Sequence, residues 1–311
     1  MRTPLYALAT ALPLALVLIA CGSSGARDDV NLPPAHLLPA SRRSHVVVIV
    51  MENKERSEVL GSNDAPYQRS LAKRYASPSR FYAIRHPSLP NYLALTGGST
   101  FGITDDCTDC SVGGSGIVGQ LESAGYSWKA YMQGMPHACY RGAEAGSYAK
   151  KHDPFMYYDR IRTTRRRCNR IVRFRNLSQD LRKGRLPAFV WITPDLCHDT
   201  HDCSIRTGDG FLRHLVPALL REIGPHGFLV LTYDEGESDA GCCGVAHGGR
   251  IATVLAGPDV RRHATGPGSY THYSTLRTIE DAFGLPHLGR AADAASLGPM
   301  FKTTPRIPRG A

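Results

Sequence analysis

Three apolar runs, each followed at once by polar side chains, constrain the fold of this 311-residue chain most strongly. Residues 45–51, 187–193 and 227–233 are rich in Val, Ile, Leu and aromatic residues, which predicts buried strands of a parallel sheet. Helical patterns such as residues 210–221 alternate with these runs. With 42% hydrophobic residues, the chain is expected to form one large α/β domain, a mostly parallel sheet sandwiched between helices.

Acidic and amide side chains follow two of these runs. Glu52 and Asn53 follow the first, and Asp234 and Glu235 follow the third. Because the ligand crevice of an open α/β sheet lies beyond the carboxyl ends of its strands, both pairs are expected to face one crevice. Three carboxylates and an amide oxygen predict a bound divalent cation, which would be Mg²⁺, Ca²⁺ or Mn²⁺, or Zn²⁺ if a histidine joins. The alternative is that each pair is a solvated strand end.

Ser88 lies between a predicted strand at residues 81–84 and a predicted helical turn at residues 92–95, which Gly97 and Gly98 end. Near a helix N-terminus, free backbone N–H groups and the helix dipole favour an anion such as a serine alkoxide or a phosphate oxygen. The pattern therefore indicates a phosphoryl-transfer nucleophile. A simple N-cap is the alternative.

Histidines follow the strand predicted at residues 187–193. His198 or His201 could protonate a leaving alkoxide while Asp199 orients the imidazole, since histidine has the side-chain pKa nearest neutrality. A surface loop is the alternative. His247 and His272 also lie at the ends of predicted elements and are expected near the same crevice, with an ordinary loop histidine as the alternative for each.

Taken together, these residues resemble the bacterial phosphoesterase family that holds non-specific phospholipases C and acid phosphatases, within the alkaline-phosphatase-like superfamily. The resemblance runs from about residue 45 to about residue 288. Its motifs are Val50-Met51-Glu52-Asn53, His86-Pro87-Ser88-Leu89-Pro90-Asn91-Tyr92, Lys151-His152-Asp153-Pro154-Phe155, Asp199-Thr200-His201-Asp202, Thr232-Tyr233-Asp234-Glu235 and His272-Tyr273-Ser274. The short length looks closest to the small secreted acid phosphatases, some of which act on phosphatidylinositol 3-phosphate.

The resemblance implies a role for each matching residue. The metal ligands would be Glu52, Asn53, Asp234 and Glu235 together with the nucleophile, Ser88. Asn91 and nearby backbone amides would bind phosphoryl oxygens. Phosphate binding or proton transfer would fall to His152, Asp199, His201 and His272. Relatives usually carry asparagine where this chain has Asp195 and His198, so neither of these two is assigned an essential role.

The N-terminus predicts export. The apolar stretch at residues 5–20 is shorter than a comfortable membrane span and ends in a sequence that resembles a bacterial lipobox, with Cys21 as the lipidated residue. We predict a signal peptide at 1–20, a flexible tether at 21–43, a catalytic domain at 44–300 and a tail at 301–311. The product would be a lipoprotein on the outer face of a bacterial cell membrane. An ordinary secreted protein is the alternative.

Cysteine usage agrees with export, because eight cysteines remain after Cys21, an even number that favours disulfides outside the cytosol. The leading bonds are Cys107 to Cys110 and Cys197 to Cys203. A zinc site at Cys107 and Cys110 is the weaker alternative. A bond between the adjacent Cys242 and Cys243 is not expected, because it closes a strained ring.

The net charge of +10 is partly local, since eight arginines lie within residues 160–175. They could steer a phosphorylated substrate, press a lipoprotein against its membrane, or form a solvated basic face. No nucleic-acid recognition module is visible, so no nucleic-acid partner is expected, and no protein partner is identifiable.

These observations predict an exported, metal-dependent phosphatase that hydrolyses phosphomonoesters, including phosphoinositide headgroups, through a phosphoserine. Its partners would be a phosphorylated small molecule or lipid headgroup and, through the anchor, a membrane. One alternative is a phosphodiesterase of the phospholipase C type. The other is an anion- or metal-binding lipoprotein without turnover, although a binder needs no nucleophile.

Overall fold

The computed structural model describes residues 31–309. Its strands are β1 (Val46–Met51), β2 (Phe81–Tyr82), β3 (Trp128–Met132), β4 (Glu144–Ala145), β5 (Tyr148–Ala149), β6 (Ile171–Arg173), β7 (Phe189–Thr193), β8 (Phe228–Tyr233), β9 (Thr253–Ala256) and β10 (Tyr270–Thr271). Six of them form one sheet in the order β6-β3-β7-β1-β8-β9. The first five of these are parallel, and β9 is antiparallel to β8.

Helices connect these strands. The α-helices are α1 (Arg56–Leu60), α2 (Pro66–Arg74), α3 (Ser88–Gly97), α4 (Gly116–Ser123), α5 (Asp159–Arg162), α6 (Arg165–Cys168), α7 (Arg175–Arg182), α8 (Ile205–Glu222) and α9 (His272–Phe283). Short 3-10 helices lie at Ala35–Leu37, Lys150–His152, Pro154–Tyr157, Gly289–Ala292 and Gly298–Met300. No helix within residues 31–309 is both long enough and apolar enough to cross a bilayer.

Helices cover both faces of the sheet. On one face, Trp191 of β7 contacts Tyr92 of α3. Val48 pairs with Trp191 in register, so it points to the same side, and Met51, with the opposite parity, points to the other. The methyl group of Met51 lies against Gly208 of α8. The predicted α/β class with a mostly parallel sheet between helices is therefore confirmed.

The strand β1 lies at the centre of the sheet, between β7 and β8, and all six of its side chains are buried. This is why its sequence is continuously β-branched and not alternating. In register, Met51 pairs with Tyr233 at the end of β8. The residues that follow, Glu52 and Asp234, therefore emerge side by side at the carboxyl edge of the sheet.

The packed core extends beyond the predicted limits of 44–300. Leu38, Phe301 and Ile307 are buried in the same hydrophobic cluster as the central strands. Parts of the predicted tether and of the predicted tail thus pack on the domain. The predicted signal peptide, Cys21 and the first part of the tether lie outside the described residues.

Four disulfides join the eight remaining cysteines. The predicted bonds Cys107 to Cys110 and Cys197 to Cys203 are both present. Cys139 is bonded to Cys168.

The expectation for Cys242 and Cys243 is wrong, because these adjacent residues are bonded to each other. Cys243 has a φ of 62°, and Cys242 exchanges backbone hydrogen bonds with Ala246. A tight turn thus supplies the backbone conformation in which the neighbouring sulfurs meet.

Candidate active site

Polar side chains from three central strands converge at one edge of the sheet. Glu52 follows β1, Asp199 lies in the loop after β7, and Asp234 follows β8. Backbone hydrogen bonds tie these loops together, because the Glu52 amide donates to the Asp199 carbonyl at 2.8 Å and the Asp234 amide donates to the Met51 carbonyl at 2.9 Å. All three carboxylates are completely buried. We call this edge the catalytic end.

Ser88 begins α3, the helix predicted after the Pro-Ser-Leu-Pro-Asn turn. Its Oγ donates a hydrogen bond to Glu52 Oε2 at 3.1 Å. One turn later, the hydroxyl of Tyr92 donates to Glu52 Oε1. Both oxygens of Glu52 are thus held by side chains from one helix, which orients the carboxylate toward the serine.

His152 lies between two of the carboxylates. Its Nε2 is 3.3 Å from Glu52 Oε2, and its Nδ1 is 3.4 Å from Asp199 Oδ2. The ring stacks on Tyr92 with centroids 5.5 Å apart. One ligand atom from each of Glu52, His152 and Asp199 lies within 4.8 Å of the others, a spacing that suits three ligands of one metal ion.

Asn53 and Asp234 extend this group. Asn53 has a φ of 54°, and its backbone amide donates to Asp234 Oδ1 at 3.1 Å. Asn53 Oδ1 and Asp234 Oδ2 are buried and have no hydrogen-bond partner among residues 31–309. The same is true of Asp199 Oδ2 and His152 Nε2. Buried polar atoms normally have hydrogen-bond partners, so a set of four without them fits a site that binds a ligand.

The charges of this group favour a cation. Burial raises the pKa of Glu52 and of Asp199 well above the usual range, and the negative charge of Asp234 adds to both effects. Burial also lowers the pKa of His152 to about 3, so the imidazole stays neutral and does not offset the carboxylates. Buried carboxylate and imidazole donors grouped in this way fit a divalent metal ion.

Two further predicted histidines lie beside this group. His272, the first residue of α9, contacts the Asp234 carbonyl through Nε2 at 2.5 Å, and its buried Nδ1 has no hydrogen-bond partner within residues 31–309. Burial lowers its pKa to about 4. His201 lies nearer the surface, with its ring 5.6 Å from that of His152 and its Nδ1 2.6 Å from Asp202 Oδ1.

The sequence profile of the Phosphoesterase family matches residues 58–286, which include most of the residues of this site. This chain belongs to the phosphoesterase family. It is 34% identical over 278 residues to the phosphatidylinositol-3-phosphatase of Mycobacterium tuberculosis, an alignment that covers 87% of this chain and 86% of the relative. It is 32% identical over 238 residues to the phosphate-repressible acid phosphatase of Penicillium chrysogenum, covering 73% of this chain but only 56% of that relative. The chain is a phosphoric ester hydrolase.

Solved structures agree with this assignment at the level of the fold. A protein of the alkaline phosphatase superfamily from Vibrio parahaemolyticus has a TM-score of 0.51 and 12% identity, with 85% of this chain and 74% of that chain covered. The PsFucS1 sulfatase from Pseudoalteromonas has a TM-score of 0.54 and 12% identity, with 86% and 74% covered. The phosphoesterase thus has the alkaline-phosphatase-like fold that the resemblance implies.

The phosphoesterase site has a partly exposed rim that sequence reasoning missed. Lys151 Nζ is 3.1 Å from Asp106 Oδ2 and 3.4 Å from His201 Nε2. Burial lowers the pKa of Lys151, but Asp106, Glu52 and Asp234 outweigh it and raise the pKa overall. Lys151 therefore brings a fixed positive charge to the site. Its place next to His152 in a recognised motif was the signal that could have identified it.

Glu235 belongs to the same rim. Its Oε2 is 2.9 Å from His86 Nδ1, and burial followed by repulsion from Asp234 raises its pKa to about 9. The structure therefore places this predicted metal ligand in a hydrogen bond with His86, and Glu235 is not among the three grouped ligand atoms of Glu52, His152 and Asp199. Consecutive residues after a strand point in different directions, so only Asp234 of the pair turns inward.

The structure does not support the predicted phosphoryl contact of Asn91. Its Oδ1 accepts from the amides of Ile84 and Arg85, and its Nδ2 donates to the carbonyls of Arg85 and Pro87. Four backbone contacts saturate this amide. Asn91 thus holds the turn that precedes Ser88.

Part of the predicted set of backbone amides is not free to bind a phosphoryl oxygen. The Leu89 amide donates to Asp106 Oδ1 at 2.9 Å, and Pro90 has no N–H. The start of α3 therefore offers fewer N–H groups to an anion than expected, and Lys151 brings positive charge to the site.

Two other histidines are not part of the site. His198 stacks on Phe211 with centroids 4.8 Å apart and pairs with Asp195 at 3.1 Å. His247 is exposed in the loop before β9. The expectation that His247 lies near the crevice at a functional position has no support in these contacts.

Proposed function

We propose that this phosphoesterase is an exported, metal-dependent phosphatase that hydrolyses phosphomonoesters through a phosphoserine on Ser88. The observation that carries the proposal is the placement of the Ser88 hydroxyl. It lies at the start of α3 and donates to Glu52, beside a group of buried ligand atoms that have no hydrogen-bond partner within residues 31–309. A residue that served only as an N-cap would point to the backbone of its own helix.

The residues that would hold the metal are those with unpaired or grouped buried donors. They are Glu52, Asn53, His152, Asp199 and Asp234. A divalent cation bound there would supply positive charge to stabilise the serine alkoxide and to polarise the phosphoryl oxygens. The participation of an imidazole favours Zn²⁺ or Mn²⁺ over Ca²⁺.

In the first step, Ser88 Oγ forms a bond to phosphorus while the bond between phosphorus and the leaving oxygen breaks in line. Glu52, which already accepts the Ser88 hydrogen bond, receives the proton. His201, at the rim, donates a proton to the departing alkoxide. Lys151 binds the non-bridging oxygens of the transferred group.

In the second step, water attacks the phosphorus of phosphoserine from the side that the alcohol has left. His201 accepts the proton of this water, and the Ser88 oxygen departs and recovers a proton from Glu52. Inorganic phosphate is released, and both residues return to their starting protonation states.

The proposed substrate class is supported by the rim and by a relative that aligns over most of its own length. Lys151 provides one fixed cation for the second negative charge that distinguishes a monoester from a diester. The phosphatidylinositol-3-phosphatase of Mycobacterium tuberculosis aligns over 86% of its own length. These observations support a phosphomonoester substrate, with a phosphorylated inositol headgroup as the specific candidate.

The test is to measure phosphate release from p-nitrophenyl phosphate and hydrolysis of bis-p-nitrophenyl phosphate side by side, with and without chelator. We expect the monoester to be hydrolysed faster and both activities to fall after chelation. Preferential diester cleavage would instead support a phospholipase C-type enzyme. No turnover of either substrate, with metal still bound, would support a binding lipoprotein.

Export through a lipid anchor is part of the proposal, and the residues that would carry the anchor lie outside the described residues. Mass spectrometry of the mature N-terminus is expected to show a lipidated Cys21, and the Cys21→Ser variant is expected in the soluble fraction with unchanged turnover. An unmodified N-terminus cleaved elsewhere would indicate a plainly secreted hydrolase.

A further inference from the structure

The net positive charge of this protein is concentrated at the end of the sheet opposite to the site. We call this end the base. It consists of the segments that precede the parallel strands, the segment after β9 and the C-terminal segment, which are residues 38–45, 122–127, 163–170, 182–188, 223–227, 257–263 and 301–309. Two Lys or Arg residues lie in 38–45, four in 163–170, three in 182–188, two in 257–263 and three in 301–309, against two carboxylates in the whole base.

The catalytic end has the opposite composition. Segments 52–58, 104–110, 194–203 and 234–240 follow the central strands or line the rim, and they hold thirteen carboxylates and two basic side chains. Lys150 and Lys151 add positive charge there, and Lys151 pairs with Asp106. The molecule therefore has a strong charge asymmetry along the strand direction.

The basal charges are exposed and largely uncompensated. Within residues 31–309, Arg167 alone among the fourteen basal Lys and Arg residues makes an ion pair, with Glu122. Others donate to backbone carbonyls, as Arg261 does to Phe301 and Lys302 does to Pro258, which leaves their charge in place. A cleft of ≈ 660 Å³ beside Arg167 is also lined by Arg166 and Arg170.

An exposed apolar side chain lies beside these charges. Leu37 is 68% exposed and directly precedes the first segment of the base. In that segment, the Leu38 carbonyl accepts a hydrogen bond from the side chain of Arg221. The other exposed large apolar residue of the described chain, Phe101, shares a cavity with Arg309 of the base. Basic side chains with an isolated aliphatic residue are the features by which a protein surface attaches to an anionic bilayer.

We propose that the base docks on an anionic lipid surface and that the site consequently faces away from that surface. Nucleic acid fits less well, because binding of single strands depends on a series of exposed aromatic side chains for base stacking, and Phe101 is the one exposed large aromatic residue beside the base among residues 31–309. A six-residue strand such as β1 spans roughly 20 Å, so the site lies at least that far from the docked membrane. Electrostatic screening acts over about 8 Å, so the two ends act independently.

A consequence for the substrate rests on the proposed function. With the base on a bilayer, a lipid headgroup in that same bilayer cannot reach Ser88. The substrates available to the docked enzyme are then soluble phosphomonoesters, or headgroups on a second, facing surface.

Binding is tested with the purified Cys21→Ser chain, which cannot be lipidated. Its co-sedimentation is measured with vesicles of phosphatidylcholine alone and of phosphatidylcholine mixed with phosphatidylglycerol. We expect strong binding only to the mixed vesicles, reversed by salt. In the same background, Arg165→Glu with Arg166→Glu should weaken this binding by about tenfold or more.

A matched control has the same change in net charge on another surface. Arg206→Glu with Arg213→Glu alters exposed residues of α8 and should leave vesicle binding within about twofold of the parent, because both lie outside the base. Equal losses in the two double variants would show that only net charge matters and would overturn the basal assignment. Tighter binding to a duplex oligonucleotide than to mixed vesicles would overturn the lipid assignment.

The orientation has its own test. Hydrolysis of phosphatidylinositol 3-phosphate embedded in the vesicles should fall when phosphatidylglycerol is added, whereas turnover of soluble p-nitrophenyl phosphate should not change. The Arg165→Glu, Arg166→Glu variant should lose this inhibition. Faster lipid hydrolysis on the mixed vesicles would show that the site faces the docked bilayer. Failure to hydrolyse p-nitrophenyl phosphate would refute the proposed function and leave the vesicle-binding result standing.

Discussion

The two ends of the central sheet place charge in opposite physical situations. At the catalytic end, Glu52, Asp199 and Asp234 are fully buried, and Asp199 Oδ2 and Asp234 Oδ2 have no hydrogen-bond partner among the described residues. At the base, Arg165 and Arg166 are exposed to solvent and make no ion pair with a carboxylate of the described residues. Both sets are uncompensated, but only the first is costly to the folded state.

The reason is desolvation. Moving an ionised group out of water costs several kcal/mol even after the protein relaxes, whereas an exposed charge keeps its water and interacts weakly with its neighbours. A buried polar group without a hydrogen-bond partner therefore indicates that a specific ligand binds to it. Exposed charges instead act together, through the electric field that they produce in the surrounding solvent. Chemistry is thus expected at one end and attachment at the other, and substitutions at each end should have different consequences.

The largest expected effect is at the nucleophile. Ser88→Ala should lower kcat by about 10³-fold or more, because the group that bonds to phosphorus is gone. The matched change Ser123→Ala, at an exposed serine of α4 near the base, should leave kcat unchanged. Steady-state kinetics and thermal unfolding of both variants check this. Near-full activity in a folded Ser88→Ala enzyme would rule out the phosphoserine mechanism.

The next effect concerns metal binding. Asp234→Asn keeps the size of the side chain but removes a buried charge, so it should reduce both bound metal and turnover, by about 10-fold to 100-fold. Asp239→Asn, at an exposed residue of the same loop, should change neither. Metal analysis of the purified proteins decides this without relying on activity. Equal metal content in wild type and Asp234→Asn would remove Asp234 from the ligand set.

Removing each of two disulfides should have different effects on turnover and on the free energy of unfolding. Cys197 and Cys203 enclose the loop that carries Asp199 and His201, so replacing both cysteines with serine should lower turnover by about tenfold by loosening this loop. The bond between Cys139 and Cys168 closes a longer segment, with a sequence separation of 29, and its removal should cost about 3 kcal/mol of unfolding free energy with less effect on kcat. Denaturant unfolding and kinetics of both pairs test the contrast, which the reverse ranking would contradict.

The smallest effect is a pH dependence of stability at a buried carboxylate outside the site. Burial raises the pKa of Glu280 to about 8. Because the folded state favours the protonated form, this residue reduces stability as pH rises from about 4.5, and the loss is complete above about pH 8. Glu280→Gln should therefore melt a few degrees above wild type at pH 8 but not at pH 5. The exposed Glu144→Gln should show no such trend, and parallel melting curves for Glu280→Gln and wild type would disprove the assignment.

Several parts of the fold could be predicted because they depend on local pattern. A continuous apolar run such as Val46–Met51, β-branched at every position but the last, is stable only when both faces are covered, so its burial and its central position follow from composition. The helix after Pro87 and the polar residues at the strand ends are equally local. Parallel strands place their carboxyl ends together, which is why Glu52 and Asp234 were expected at one edge.

Side-chain direction was not predictable in the same way. Asn91 turns to four backbone groups, and Glu235 turns to His86, because each finds these partners only when distant loops are in place. The hydrogen bond from Tyr92 to Glu52, and the effect of the Glu52 charge on the pKa of Lys151, also form only when distant segments are in place. No spacing in the sequence distinguishes an amide that binds phosphate from one that closes a turn.

The amino-acid sequence by itself determined the strand and helix pattern, the family motifs and the excess of basic residues, since these depend on residue type and local periodicity. Tertiary structure alone decided that His152 lies between Glu52 and Asp199, and that arginines from separate segments gather at the base, opposite to Ser88. The physical reason is that local interactions select the elements, whereas desolvation and charge depend on which distant segments the packed sheet brings together.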